Sequence, residues 1–312
     1  MLDYPKNIDE FNKLPEIDRN ELICKPLADW SNEWYESILP EKNKLSLKFP
    51  SWDKEFKGKL RSKLVPIIGY GGTKKSLLAQ NIAFENIQRG LGRCIYSTME
   101  SGATEVINRF IDMAVEPQDG YNPHSELEYH NNKTKRIDAK DFYSKSIAPV
   151  FKDGLNITEN TSMDSGKYDR LLTEFERKGK KIDILIVDGL SGLGGSGSET
   201  ELYSRHSKEL KDLSNKHKIM TFLICHVSKG GHKTDKDLSK LVRSSEKIID
   251  NCDFYISASL FAEGEDEFNK INGNFRLVNK RGTGNILDVV YDFDKLRLLM
   301  EETELEPEQF NF

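Results

Sequence analysis

The sequence predicts an α/β protein: a mostly parallel central sheet flanked by helices, preceded by a short N-terminal helical arm. Three observations carry this. An apolar run at 64–68 (LVPII) turns through a glycine-rich loop into residues whose apolar members, Leu77, Leu78, Ile82, Ala83 and Ile87, recur at helical spacing. Two later runs, 182–188 (IDILIVD) and 219–226 (IMTFLICH), are apolar almost throughout and end in Asp188 and His226. Strands buried on both faces of a parallel sheet read this way, and their carboxyl ends form the edge where such sheets place ligands. Helical patterns separate the runs, as parallel strands require.

The chain has 312 residues, enough for one large α/β domain with an appendage. Hydrophobic residues make up 37% and charged residues 31%, the balance of a soluble globular protein. A net charge of −5 excludes a generally basic nucleic-acid coat, so any such contact must come from a local patch. Cys24, Cys94, Cys225 and Cys252 lie far apart without C-x-x-C spacing. They read as buried thiols in a reducing compartment, with no zinc site. No N-terminal apolar segment and no run near 18 apolar residues occurs, so neither a signal peptide nor a membrane span is expected. The expected location is the cytoplasm, of a bacterium or a phage-infected host.

Residues 1–48 are acidic and punctuated by Pro5, Pro15, Pro26 and Pro40. Trp30, Trp34 and Tyr35 fall near one helix face, which suggests an arm packed on the core or on a neighbouring subunit. Residues 49–53 (FPSWD) lead into the main domain, 49–300, and an acidic tail follows at 301–312. A second strand, 93–99, ends at Glu100, and 101–113 looks helical. Glu100 is therefore either a ligand-edge carboxylate or a helix N-terminal one. His124 and His130 lack a supporting ligand cluster and read as surface loop. A short strand at 154–159 and a helix at 167–178 precede the Asp188 strand. After a glycine- and serine-rich loop, 192–198, comes a polar helix, 199–216. A short helix near 243–250, a strand pair at 254–260 and 274–279, and a final strand at 286–293 complete the domain.

The chemistry concentrates in Gly69, Gly71, Gly72, Thr73, Lys74, Lys75 and Ser76. A glycine-rich loop between strand and helix lets backbone N–H groups close around phosphate oxygens, and the helix start adds its positive end. A lysine and the hydroxyl after it then reach phosphates and Mg²⁺. Lys75 and Ser76 have that spacing from Gly69, but Lys74 stands where G-x-x-x-x-G-K-[ST] has its second glycine. The bland alternative is a glycine-rich turn before an ordinary helix. Asp188 matches a Mg²⁺-binding acid at a strand end, or simply begins a loop. The loop after His226 carries Lys229, Lys233, Lys236 and Lys240, with Arg243 beyond; it reads as solvated surface or as phosphate-backbone contacts.

In order, these segments resemble the RecA-like motor of hexameric replicative helicases, both the DnaB type and the helicase half of phage helicase-primases. The resemblance covers about residues 49–299. GYGGTKKS resembles the Walker A loop, IYSTMES the strand ending in the general base (Glu100), and ILIVDGLSGLGGSGSETE the Walker B strand and its loop. FLICHVSKG resembles the phage helicases' strand whose histidine, here His226, senses the γ-phosphate. LVNKRGTG resembles the turn with the arginine finger, here Arg281. The resemblance implies a P-loop ATPase using ATP and Mg²⁺, with Lys75, Glu100, His226 and Arg281 catalytic and Ser76 and Asp188 on the metal. It implies single-stranded DNA on Lys229, Lys233, Lys236 and Arg243, a homo-oligomeric, hexameric ring, and a separate primase as partner. Asn279 departs from the family's common lysine two residues before the finger. A RecA- or KaiC-like ATPase in recombination or partner loading, and a non-hydrolysing nucleotide-binding scaffold, stand as alternatives.

Overall fold

Alternation along the strands sets the architecture. The computed structural model describes residues 44–56, 59–114, 143–159, 164–190, 193, 198–226, 246–260, 273–279, 286–292 and 297–300, all within the unit Asn43–Phe312. Its strands are β1 (Lys63–Gly69), β2 (Cys94–Thr98), β3 (Leu155–Glu159), β4 (Ile184–Asp188), β5 (Met220–His226), β6 (Phe254–Leu260), β7 (Gly273–Asn279), β8 (Ile286–Asp292) and β9 (Arg297–Met300). They form one sheet in the order β3-β2-β4-β5-β1-β6-β7-β8-β9. The pairs from β3 through to β6 are parallel, and β7, β8 and β9 add antiparallel at one end. The strand at 286–293 is thus not the last: β9 follows it, too short and too like its surroundings in composition to stand out in the sequence.

The helices are α1 (Pro50–Phe56), α2 (Lys75–Gln88), α3 (Ala103–Ala114), α4 (Ala148–Phe151), α5 (Ser165–Arg177), α6 (Glu199–His217) and α7 (Glu246–Asp250), with a single wide turn at Tyr143–Ile147 before α4. Val65 and Ile67 of β1, Tyr96 of β2, Ile184 and Ile186 of β4, and Phe222 and Ile224 of β5 pack beneath α2 and α3. The intervening residues, Leu64, Ile68, Ile95, Leu185, Val187, Leu223 and Cys225, pack with Tyr168 and Leu172 of α5 and Leu210 and Leu213 of α6. Both faces are therefore covered, which is why these runs look apolar throughout rather than alternating. Connections running towards the β3 edge carry α2 and α3 on one face; those running back carry α5 and α6 on the other. That is the single handedness expected of parallel crossovers.

Local signals agree with the boundaries. Asp164 caps α5 by accepting from the Lys167 N–H, and Ser198 with Glu201 forms a reciprocal capping box at the start of α6. Residues 50–56 form a helix rather than a mere lead-in. Trp52 is fully buried and meets Phe49 edge-on at 4.9 Å. Leu45, Leu47 and Phe49 are also buried in the core under α2. Asn86 of α2 holds them there: its side chain accepts from Ser46 N–H at 2.9 Å and donates to Ser46 O at 2.7 Å. Asp53 accepts from the Ser46 hydroxyl and the Leu47 N–H, both at 2.6 Å. No helix among the described residues is long and apolar enough to cross a membrane. His124 and His130 lie outside the described residues, and no group of three metal-ligating side chains occurs within them.

Candidate active site

The sheet order brings three strand ends together. β5 lies between β1 and β4, and its register sets Gly69 beside His226 and Asp188 beside Ile224. β2 flanks β4 on the far side, with Thr98 beside Asp188. Tyr96, Asp188 and His226 share the strand parity of the face that α2 covers, because alternate residues point the same way. A helix that follows β1 directly therefore starts above all three.

The loop between β1 and α2 is built by sterics and hydrogen bonds. At Gly69 a side-chain carbon would sit 2.5 Å from Thr73 Oγ1 and 2.6 Å from Ala258 O, so no larger residue fits. Gly72 has φ +83°, the left-handed region where side chains are penalised. Thr73 donates from its hydroxyl to Tyr70 O at 2.9 Å. Lys74 takes φ +60° and ψ +24° and is the N-cap of α2, with no capping bond from its side chain. The departure from the motif thus falls at a left-handed position, the conformation for which glycine is suited.

Lys75 is 4% exposed. Its Nζ donates to Tyr70 O at 2.7 Å and lies 3.4 Å from His226 Nδ1. His226 Nε2 lies 3.0 Å from Glu100 Oε2. One proton arrangement satisfies both contacts: the ammonium donates to Nδ1, and Nε2–H donates to the carboxylate. Lys75, His226 and Glu100 form a continuous polar line from a buried ammonium to a half-exposed carboxylate. Burial lowers the Lys75 ammonium to about 8, against the opposing pull of Glu100 and Asp188. A phosphate would restore the charge that burial disfavours.

The metal position is tested by the donors themselves. Ser76 Oγ donates to Asp188 Oδ1 at 3.0 Å. Mg²⁺ takes oxygen ligands in octahedral geometry at roughly 2.0–2.1 Å, so adjacent ligand oxygens stand about 2.9 Å apart. The two side chains fit such an ion. Asp188 is nearly buried, which raises its carboxyl above the ordinary range, while hydrogen bonds from Tyr96 and Ser76 pull it back. Tyr96 OH donates to Asp188 Oδ2.

Of the residues expected from the sequence, Gly69, Gly72, Thr73, Lys74, Lys75, Ser76, Glu100, Asp188 and His226 meet at one sheet edge. Gly71 belongs to the loop, but neither its backbone angle nor its surroundings require glycine. Arg281, Lys229, Lys233, Lys236 and Arg243 lie outside the described residues. Sequence reasoning missed Tyr96. Its only signal is a polar-tipped ring inside an apolar strand, two residues from the register partner of Asp188.

This arrangement of sheet, loop and helices occurs in solved structures. The ATPase domain of G40P superposes with a TM-score of 0.73 at 16% identity, over 89% of this chain and all of that one. The fold is the one that this ATPase domain has. A DnaB-like replicative helicase, solved in a study of its interactions with primase, matches with a TM-score of 0.70 at 17% identity, over 95% of this chain and 73% of that one. No family model and no curated protein matches the sequence. At these identities the likeness is one of fold, a RecA-like sheet in which β5 stands between β1 and β4.

Proposed function

We propose that the chain is an ATP-dependent replicative DNA helicase motor, hydrolysing ATP to translocate on single-stranded DNA as a homo-oligomeric, hexameric ring. The observation that carries this reading is the Lys75–His226–Glu100 line beside the Ser76–Asp188 pair. A scaffold that only holds nucleotide needs the loop and the lysine. It has no use for a carboxylate placed at the open end of the site and linked through a histidine to the phosphate-binding lysine. In this reading the 69–76 loop cradles the phosphates and Lys75 contacts the terminal ones. Ser76 and Asp188 hold Mg²⁺, which offsets phosphate charge and helps orient the terminal group. Glu100 takes a proton from the attacking water, and His226 links the occupancy of the γ-phosphate position to Glu100.

The remaining assignments belong to the same proposal. Arg281 acts on the γ-phosphate of a neighbouring subunit, and Lys229, Lys233, Lys236 and Arg243 contact the DNA backbone. A separate primase is the expected protein partner. DNA-stimulated ATP turnover separates a motor from a scaffold, and strand displacement separates a helicase from a recombination or loading ATPase. Glu100→Gln is expected to bind nucleotide with wild-type affinity and to lose turnover by on the order of 10² or more, the scale of removing a general base. Wild-type turnover in that variant would place the base elsewhere.

A further inference from the structure

Asp188 is 3% exposed and accepts a hydrogen bond on each oxygen. Ser76 donates to Oδ1 at 3.0 Å and Tyr96 donates to Oδ2. The first partner belongs to the nucleotide loop. The second does not: Tyr96 lies in the middle of β2, fully buried, paired in register with Ile186. Its ring reaches along the covered face of the sheet towards Asp188 and stands edge-on to Phe110 at 6.1 Å. Gln80 of α2 is also fully buried and close enough to the tyrosine hydroxyl to interact with it, though neither of its amide atoms completes a well-formed hydrogen bond. The hydroxyl has one proton to donate, and it goes to the carboxylate.

We propose that Tyr96 is a positioning residue for the metal-nucleotide complex: its hydroxyl fixes the Asp188 carboxylate so that Oδ1 stays beside Ser76. The chemistry favours a phenol in this place. A buried carboxylate needs a donor on its second oxygen. A lysine or arginine there would supply one but would also bring a positive charge next to the cation. The phenol holds the oxygen without charge, and its ring is locked by packing. Partners of this kind behind a metal ligand set its orientation, and their loss typically costs 10- to 100-fold in metal affinity. Without the hydroxyl the carboxylate is free to turn about its terminal bond, and Oδ1 is no longer held towards Ser76.

This inference rests on the nucleotide-hydrolysing reading, and one titration tests both. A fluorescent, non-hydrolysable ATP analogue is bound to the full chain without Mg²⁺ and then with increasing Mg²⁺, for wild type and for Tyr96→Phe. The phenylalanine keeps the ring and its packing on Phe110, so Mg²⁺-free affinity is expected to stay within about twofold and reports that the site is folded. The Mg²⁺ concentration giving half of the metal-dependent tightening is expected to rise about 10-fold or more. A role confined to stabilising a buried carboxylate would lower the melting temperature and leave that concentration where it was. Half-saturation within twofold of wild type, or at lower Mg²⁺, overturns the inference and leaves the functional reading standing. A wild-type protein whose nucleotide binding does not respond to Mg²⁺ overturns both.

Discussion

At the scale of single residues, the informative one is Lys74, because it breaks the motif. Its φ of +60° costs a residue with a side chain roughly 1–2 kcal/mol relative to the ordinary helical region. Glycine would remove that strain while adding about 0.5–1 kcal/mol of conformational entropy to the unfolded chain. The balance favours glycine slightly. Lys74→Gly is therefore expected to raise the melting temperature of the nucleotide-free protein by about 2 °C and to change nucleotide affinity several-fold at most. Loss of nucleotide binding on that substitution would mean that the lysine itself is the phosphate ligand and that the register is displaced by one. The spacing of Gly69, Lys75 and Ser76 is readable in the sequence because it is local. The left-handed angle at Lys74 is not, since a lysine carries no signal for it. Tyr96 is hidden for a different reason: a buried tyrosine is ordinary in a core strand, and only the alignment of β2 with β4 reveals what its hydroxyl meets.

At the scale of elements, the strands are legible because burial on both faces leaves continuous apolar runs, and their polar ends are legible because each breaks such a run. Strand order is beyond reach, since pairing between segments far apart in sequence leaves no local trace. Order is what makes the site. With β5 between β1 and β4, His226 stands between Lys75 and Glu100 instead of at a sheet margin. The lysine-rich segment that the sequence offers for DNA contact begins just after His226. In the proposed reading, nucleic acid held by that segment acts directly beside the strand end whose His226 meets Lys75 and Glu100. Neutralising Lys229, Lys233 and Lys236 together is expected to weaken single-stranded DNA binding. The slope of log affinity against log salt should flatten by about 0.7 for each phosphate that is no longer neutralised, while nucleotide affinity stays unchanged. A slope equal to that of wild type would return the three lysines to solvated surface.

At the scale of the whole molecule, the question is whether one chain holds a complete site. Among the described residues Lys75 is the buried cation, and burial has already lowered its preference for the charged form. Transfer of a phosphoryl group usually calls on a further cation for the charge that spreads over its outer oxygens. Arg281 is the candidate from the sequence. Its bland role would be an ion pair with an acid such as Asp253. That carboxylate already meets Lys211 at 2.8 Å and Lys63 at 3.2 Å, and one more exposed pair would contribute little. An arginine supplied by the neighbouring subunit is worth roughly 10³ or more in rate, so the two roles predict very different variants. Arg281→Ala is expected to fold, to assemble in the presence of Mg²⁺ and a non-hydrolysable ATP analogue, and to bind ATP, yet to turn over poorly. Lys75→Ala subunits are expected to be inactive for the opposite reason, lacking the phosphate ligand while keeping the arginine. Mixed together, the two inactive proteins should regain turnover, because a Lys75→Ala subunit lends its arginine to a neighbouring site whose lysine is intact. Capture of one variant through an affinity tag on the other establishes co-assembly, and a phosphate-release assay reads the rescue. Co-assembled rings without any regained turnover would mean that each subunit completes its own site, and the ring would then have to be explained by DNA threading alone.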